Sequence, residues 1–236
     1  SMRYGTRWTE ELIMKTLFAH HPVLGNAGIL YDGSVERRVN YTLEGGDVHP
    51  LRPDLLMIGF SERSSPAAID ELVSLVFSNT AVTNIIVVVM PKENTAIHLD
   101  MIFTQVDREQ CVIHAPHFRG AERRSIRHGS KGDATMREMP NVFVALEQCG
   151  MRIEPIICGG KKRIMQEREQ WASGCNFFAI RPGLAVSYAR NQETLREMES
   201  AGYRIVGSTS FLEGQERIDD AERAVITVDG SELVRG

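Results

Sequence analysis

Three features of this 236-residue sequence predict an α/β fold with internal repetition. Residues 85–90, Ile-Ile-Val-Val-Val-Met, make a short β-branched apolar run of the kind that forms a buried strand. A helix signal stands before it at 67–77, where Ile69, Leu72, Val73 and Val76 share one face. The order strand, arginine-bearing turn, helix, strand then occurs twice. Gly59-Phe60-Ser61-Glu62-Arg63-Ser64 lies over Val186-Ser187-Tyr188-Ala189-Arg190-Asn191, with Arg63 aligned to Arg190.

The other elements follow in chain order. Residues 11–19 carry apolar side chains at helical spacing and stop at His20-His21-Pro22. After a loop rich in Gly and Asp, the alternation at 39–43 reads as a strand running into Glu44-Gly45-Gly46-Asp47, and 55–60 reads as a second strand. Ser64-Ser65-Pro66 opens the 67–77 helix, with a capping hydroxyl and a proline placed where its missing N–H costs nothing. Residues 118–138 hold seven basic residues, His128 included, three glycines and little apolar periodicity, and are expected as a surface loop. Residues 153–157 read as a strand and 161–170 as a charged helix after Gly159-Gly160. Strand 184–188, helix 192–201 closed by Gly202, and strands 203–206 and 224–228 complete the reading. One domain over 1–236 is expected; Ser1-Met2 reads as a cloning remnant before a start codon, and the ending straight after a strand reads as a truncation.

Composition narrows the function. An apolar share of 42% and a charged share of 25% exclude global disorder. The 27 basic and 31 acidic residues give a net charge of -4, which predicts no general affinity for nucleic acid. No apolar run is long enough to span a bilayer, so no membrane partner is expected. Four cysteines at 111, 149, 158 and 175, without a CxxC pair, point to free thiols in a reducing cytoplasm and away from a zinc knuckle. His114 and His117 flank a proline and His20-His21 are adjacent, so neither pair has metal-ligand spacing. Cys158 before Gly159-Gly160 reads as a buried thiol ending a strand ahead of a thiolate at a helix N-terminus.

Two clusters carry chemistry. In Glu44-Gly45-Gly46-Asp47 the glycines allow a sharp turn or close approach to a ligand, and the carboxylates accept hydrogen bonds; alone, the cluster also reads as a turn with solvated acids. In His98-Leu99-Asp100, residues two apart on a strand put imidazole and carboxylate on one face, a pairing suited to proton transfer beside a bound cation. By itself the tripeptide equally fits a hydrogen-bonded histidine in a strand.

Leu43-Glu44-Gly45-Gly46-Asp47-Val48, Gly59-Phe60-Ser61-Glu62-Arg63 and Ile97-His98-Leu99-Asp100-Met101-Ile102-Phe103-Thr104, in this order and separation, resemble the arginine deiminase family of the guanidino-group-modifying (amidinotransferase, pentein) superfamily. Gln166-Glu167-Arg168-Glu169-Gln170-Trp171, Ile180-Arg181-Pro182-Gly183, Tyr188-Ala189-Arg190-Asn191 and the 230–236 ending are similar to further stretches of it. The resemblance implies an incomplete pentein-type β/α propeller of ββαβ modules, corresponding to the C-terminal portion of such enzymes. It implies hydrolysis of L-arginine to L-citrulline and ammonia with no metal or organic cofactor, a small guanidino substrate, and a homo-oligomer. His98 would be general acid and base, Glu44 would orient it, Asp47 would support them, and Asp100 would bind the guanidinium. Arg63 and Arg7 would grip an α-carboxylate, which favours a free amino acid as substrate. The family's upstream Phe-Thr-Arg-Asp-Pro segment is not present, and its nucleophilic cysteine would stand beyond Gly236. The alternative is a non-catalytic relative that binds a guanidino compound.

Overall fold

The structure, a computed structural model, describes residues 2–34, 41–133 and 135–230. Val39 and Asn40 of the expected 39–43 strand, and the 230–236 motif beyond Gly230, lie outside them.

Three sheets repeat one plan. In the first, β1 (Val48–Arg52) runs antiparallel to β2 (Leu55–Phe60), and helix α2 (Pro66–Asn79) returns the chain to β3 (Asn84–Val89), parallel to β2. In the second, β4 (Phe103–Asp107) pairs antiparallel with β5 (Gln110–Ile113), and beyond helices α3 (Ala115–Phe118) and α4 (Val142–Gln148) the chain returns as β8 (Glu154–Ile157), parallel to β5. In the third, β9 (Phe178–Arg181) pairs antiparallel with β10 (Leu184–Tyr188), and helix α6 (Gln192–Ser200) leads to β11 (Arg204–Gly207). Strand β12 (Ala224–Val228) then inserts between β10 and β11, parallel to both. The chain is thus an α/β protein of three ββαβ-type modules, and the Arg63 and Arg190 turns stand at the same step of the first and third. The second module has no such arginine, so comparing turns in the sequence finds only two copies.

Within β3 the β-branched run 85–89 is apolar throughout because the first sheet is covered on both faces. Ile85 and Val87 pack with Leu56, Ile58, Ile69 and Val76 beneath α2. Ile86 and Val88 face Leu55, Met57, Leu99, Ile102, Phe103 and Ile113, a core shared with the second sheet. A further core joins the second and third sheets through Val112, Ile156, Ala185, Leu195 and Val225. Ser65 caps α2 by accepting from the Ala68 N–H, with Pro66 at the first helical position.

Three expectations are corrected. The 118–138 stretch is not a loop throughout: β6 (Ile126–Ser130) and β7 (Arg137–Met139) extend the first sheet beyond β3. Its periodicity is hidden because β7 buries nothing and β6 alternates only around Ile126 and His128, whose ring bonds Asn84 Oδ1 at 3.0 Å. Residues 41–43 are not strand, since Ser65 takes both main-chain groups of Thr42, its N–H donating to Thr42 O and its Oγ accepting from Thr42 N. Residues 99–101 form a 3₁₀ turn, so His98 and Asp100 do not share a strand face.

Helix α1 (Trp8–His20) buries none of its residues, and Leu12, Ile13, Met14 and Leu17 stand exposed. Among the described residues, no helix is long and apolar enough to cross a membrane.

Candidate active site

The site lies where the turn before β1, the turn after β2 and the turn before β4 meet. A 3₁₀ turn over Gly45–Asp47 carries Glu44 at its cap and Asp47 at its end. Asp47 is wholly buried. Its Oδ2 accepts from the hydroxyls of Ser61 and Ser64, and its Oδ1 accepts from the Leu99 N–H at 2.9 Å. Burial pushes this carboxyl up, and the two serine hydrogen bonds oppose the shift. One carboxylate thereby ties the Ser61–Ser64 turn and the His98–Met101 turn to the same point. Ser61 Oγ also accepts from the amides of Arg63 at 3.0 Å and Ser64 at 3.2 Å, which closes the turn that projects Arg63.

Glu44 is buried at the centre of a cationic ring. His98 Nε2 lies 2.7 Å from Glu44 Oε2, and Arg7 Nη1 donates to the same oxygen at 2.9 Å. Arg63 Nη1 stands 3.5 Å away, and the Arg3 N–H donates to Oε1 at 2.9 Å. Burial opposes ionisation of Glu44, but the hydrogen bonds from His98 and Arg3 and the nearby positive charge outweigh it and hold the carboxyl below its ordinary value. An ionised Glu44 accepts from Nε2–H and so fixes the proton on that nitrogen.

Asp100 and His98 converge on Gly46, not through strand alternation. A Cβ on Gly46 would stand 2.8 Å from Asp100 Oδ2 and 2.9 Å from His98 Cβ and Cγ, so only glycine lets both side chains close over this backbone. Asp100 Oδ1 is buried with no hydrogen-bond partner. Burial first, and the Asp47 charge next, raise the Asp100 carboxyl to about 6, against the His98 and Asn176 contributions. A buried carboxylate oxygen without a donor is a place prepared for a cation.

Arg7 and Arg63 reach the same pocket differently. Arg7 is bound twice by Glu10, Nε to Oε1 at 2.7 Å and Nη2 to Oε2 at 2.8 Å, besides its bond to Glu44. Arg63 lies 4.5 Å over the Tyr4 ring, and its buried Nε has no partner. A cavity of about 620 Å³ opens on Arg7, Glu10, Arg63, His98, Met101 and Trp171. A larger one of about 1070 Å³ lies among β1, β4 and β9 and includes Asp100 and Gly46. Asn176 lines both and stands where they approach each other.

All six residues expected at the site therefore lie together, around Glu44 and Gly46. Reasoning from the sequence missed Ser61 and Ser64 as partners of Asp47, and also Tyr4, Glu10 and Asn176. Hydroxyls flanking an arginine in a turn are the one local signal for the serines. None of the four cysteines lines either cavity. Cys158 is buried and accepts from Thr194 Oγ1 at 3.4 Å. His114 and His117 are buried with their Nδ1 atoms 2.5 Å apart, and burial pulls them down to about 4 and about 3. Among the described residues, no group of three or more side chains is arranged to hold a metal.

The sequence profile of the family described as "Arginine deiminase" matches residues 1–236. Curated relatives named arginine deiminase include one from Rhodococcus jostii, 30% identical over 211 residues, covering 88% of this chain and 51% of the relative. Another from Treponema denticola is 32% identical over 212 residues (85% and 50%), and one from Streptococcus uberis is 32% identical over 242 residues (98% and 52%). The chain spans about half the length of these relatives. Among solved structures, the inosamine-phosphate amidinotransferase of Streptomyces griseus superposes with a TM-score of 0.50 at 15% identity, over 97% of this chain and 57% of that one, a likeness of fold.

Proposed function

We infer the function from one premise: this chain belongs to the arginine deiminase family. The whole protein is then a hydrolase that converts L-arginine to L-citrulline and ammonia through a covalent cysteine intermediate, the cysteine following Gly236. The observation that carries the reading is the 2.7 Å contact of His98 with Glu44 beside the partnerless buried oxygen of Asp100.

A guanidinium is resonance-stabilised and a poor electrophile, so charge must be localised on it before its central carbon is attacked. Asp100 takes the cation through charge-assisted hydrogen bonds. The thiolate adds to the central carbon, His98 gives its proton to the departing ammonia, and the neutral imidazole then takes a proton from the water that hydrolyses the thiouronium-type intermediate. Glu44 holds the imidazole in the orientation and tautomer that both proton transfers need, and Asp47 holds the turns beneath them. Arg63 offers its free Nε–H to an α-carboxylate, whereas that carboxylate must compete with Glu10 for Arg7. Guanidino binding without turnover is the second reading; it rests on the same Asp100 oxygen and Arg63 Nε and needs no thiol.

Calorimetric titration of L-arginine into the 236-residue chain, paired with a citrulline assay on the polypeptide extended through the downstream cysteine, tests both. Binding with citrulline supports the hydrolase, and binding without citrulline supports the second reading. No binding by folded protein at pH 7 removes both.

A further inference from the structure

The Gln166–Trp171 stretch bears no role in the chemistry above, yet three of its polar side chains are buried. Gln166, Glu169 and Gln170 lie on one face of α5 (Arg163–Trp171), at helical spacings of three and four. Gln166 Nε2 donates to Gly160 O at 2.6 Å. Glu169 accepts from the first amides of α6, Glu193 at 2.9 Å and Thr194 at 2.8 Å, and from the Thr194 hydroxyl at 2.8 Å, so it anchors α5 to the third module. Gln170 is 1% exposed. Its Nε2 donates to Thr95 O and, at 3.2 Å, to Met101 O.

Those two carbonyls bracket the residues that matter. Thr95 stands three residues before His98, and Met101 directly follows Asp100. Residues 91–98 have no helix or strand of their own. On the near side the turn is held by Asp47, through the Leu99 N–H. We propose that Gln170 is a positioning residue for the His98–Asp100 pair: its carboxamide spans the Thr95 and Met101 carbonyls from the far side and sets where the imidazole meets Glu44. The proposal builds on the reading of this pair as a guanidino site. Both hydrogens of one amide serve two acceptors at once, so the role depends on donors and not on volume alone.

The test uses the 236-residue chain and three variants, Gln170→Met, Gln170→Glu and Gln166→Met. Amide hydrogen exchange over 97–101, the His98 ring proton signals and L-arginine affinity are measured on each. Gln170→Met should speed exchange over 97–101 and weaken arginine binding, each by about tenfold, and shift the His98 ring signals. Gln170→Glu should do more, because carboxylate oxygens then face two carbonyl oxygens. Gln166→Met should leave all three readings within about twofold of the parent, because its lost bond is to Gly160. If the longer substitutions prevent folding, Gln170→Asn keeps the amide but is too short to reach both carbonyls, and should speed exchange on one side of the pair. Unchanged exchange and ring signals in a folded Gln170 variant, or equal effects from Gln166→Met, overturn the proposal. Should the parent chain bind no arginine, the guanidino reading falls, while exchange and ring signals still decide whether Gln170 positions the pair.

Discussion

The first and third modules put an arginine at the same step, between the second strand and the helix, and use it for opposite purposes. Arg190 donates from Nε to Ala172 O at 3.1 Å and from Nη1 to Gly230 O at 2.8 Å, and lies 4.2 Å over the Tyr188 ring. Its guanidinium is spent on main-chain carbonyls. Arg63 also stacks on a tyrosine, but it faces a buried carboxylate shared with a histidine and a second arginine, and one of its nitrogens is left free. The difference does not lie in the turns. It lies in what the rest of the chain sets opposite them, neutral carbonyls in one case and Glu44 in the other. Repetition supplies a place for an arginine; an unsatisfied charge balance turns the place into a site.

The largest expected effect comes from removing that opposing charge. Glu44→Ala leaves two guanidiniums and an imidazole without their common anion, and should cost about 3–5 kcal/mol in a urea unfolding titration and abolish arginine binding. A loss under about 1 kcal/mol would mean that water already screens the ring, and that the first module resembles the third more than the distances indicate.

Exchanging the arginines sharpens the contrast. Arg190→Met should lower stability by about 1–3 kcal/mol, because two carbonyls lose their donors, and leave arginine affinity unchanged. Arg63→Met should weaken arginine binding about tenfold or more and barely move the unfolding midpoint. Equal loss of affinity from both, measured by calorimetry, would break the distinction.

The pH dependence tests the Glu44 side of the comparison alone. Asp100 titrates at about 6, above its unfolded value, so its protonated form favours folding. That contribution is fully present below the ordinary carboxyl range and is lost as pH rises through about 6. Glu44 acts oppositely: its carboxyl is held low, so its stabilisation is present above the ordinary range and lost as pH falls through the depressed value. Cation binding needs the Asp100 carboxylate, so arginine affinity should drop about tenfold between pH 7 and pH 5. Asp100→Asn should bind weakly at both pH values and show no such slope; a slope that survives the substitution would assign the titration elsewhere.

The smallest effects belong to the tyrosines. Tyr188→Leu should cost about 0.5–1 kcal/mol of stability and no affinity. Tyr4→Leu should weaken arginine binding about twofold, by releasing Arg63 from its stack. A twofold loss from Tyr188→Leu instead would reverse the roles of the two turns.

The elements that local pattern can specify were legible in the sequence: the doubly covered strand at 84–89, the capped helix α2, and the matching turns around Arg63 and Arg190. Each depends on spacings within a dozen residues, where side-chain period and cap chemistry act directly. The choice of Glu44, His98 and Asp100 as site candidates was legible too, from residue type and from the family resemblance. The way they meet was not. His98 and Asp100 converge through a 3₁₀ turn closed over Gly46, because Asp47 holds Leu99 N–H and the paired serines from positions far apart in the chain. The strands β6 and β7 were hidden for a related reason: β7 buries none of its residues and β6 alternates only around Ile126 and His128, so neither leaves a period to read. Pattern decides where a strand, helix or turn can form. Only the tertiary structure decides which charges end up buried against one another, because that depends on contacts of residue 44 with residues 63 and 98 that no local period records.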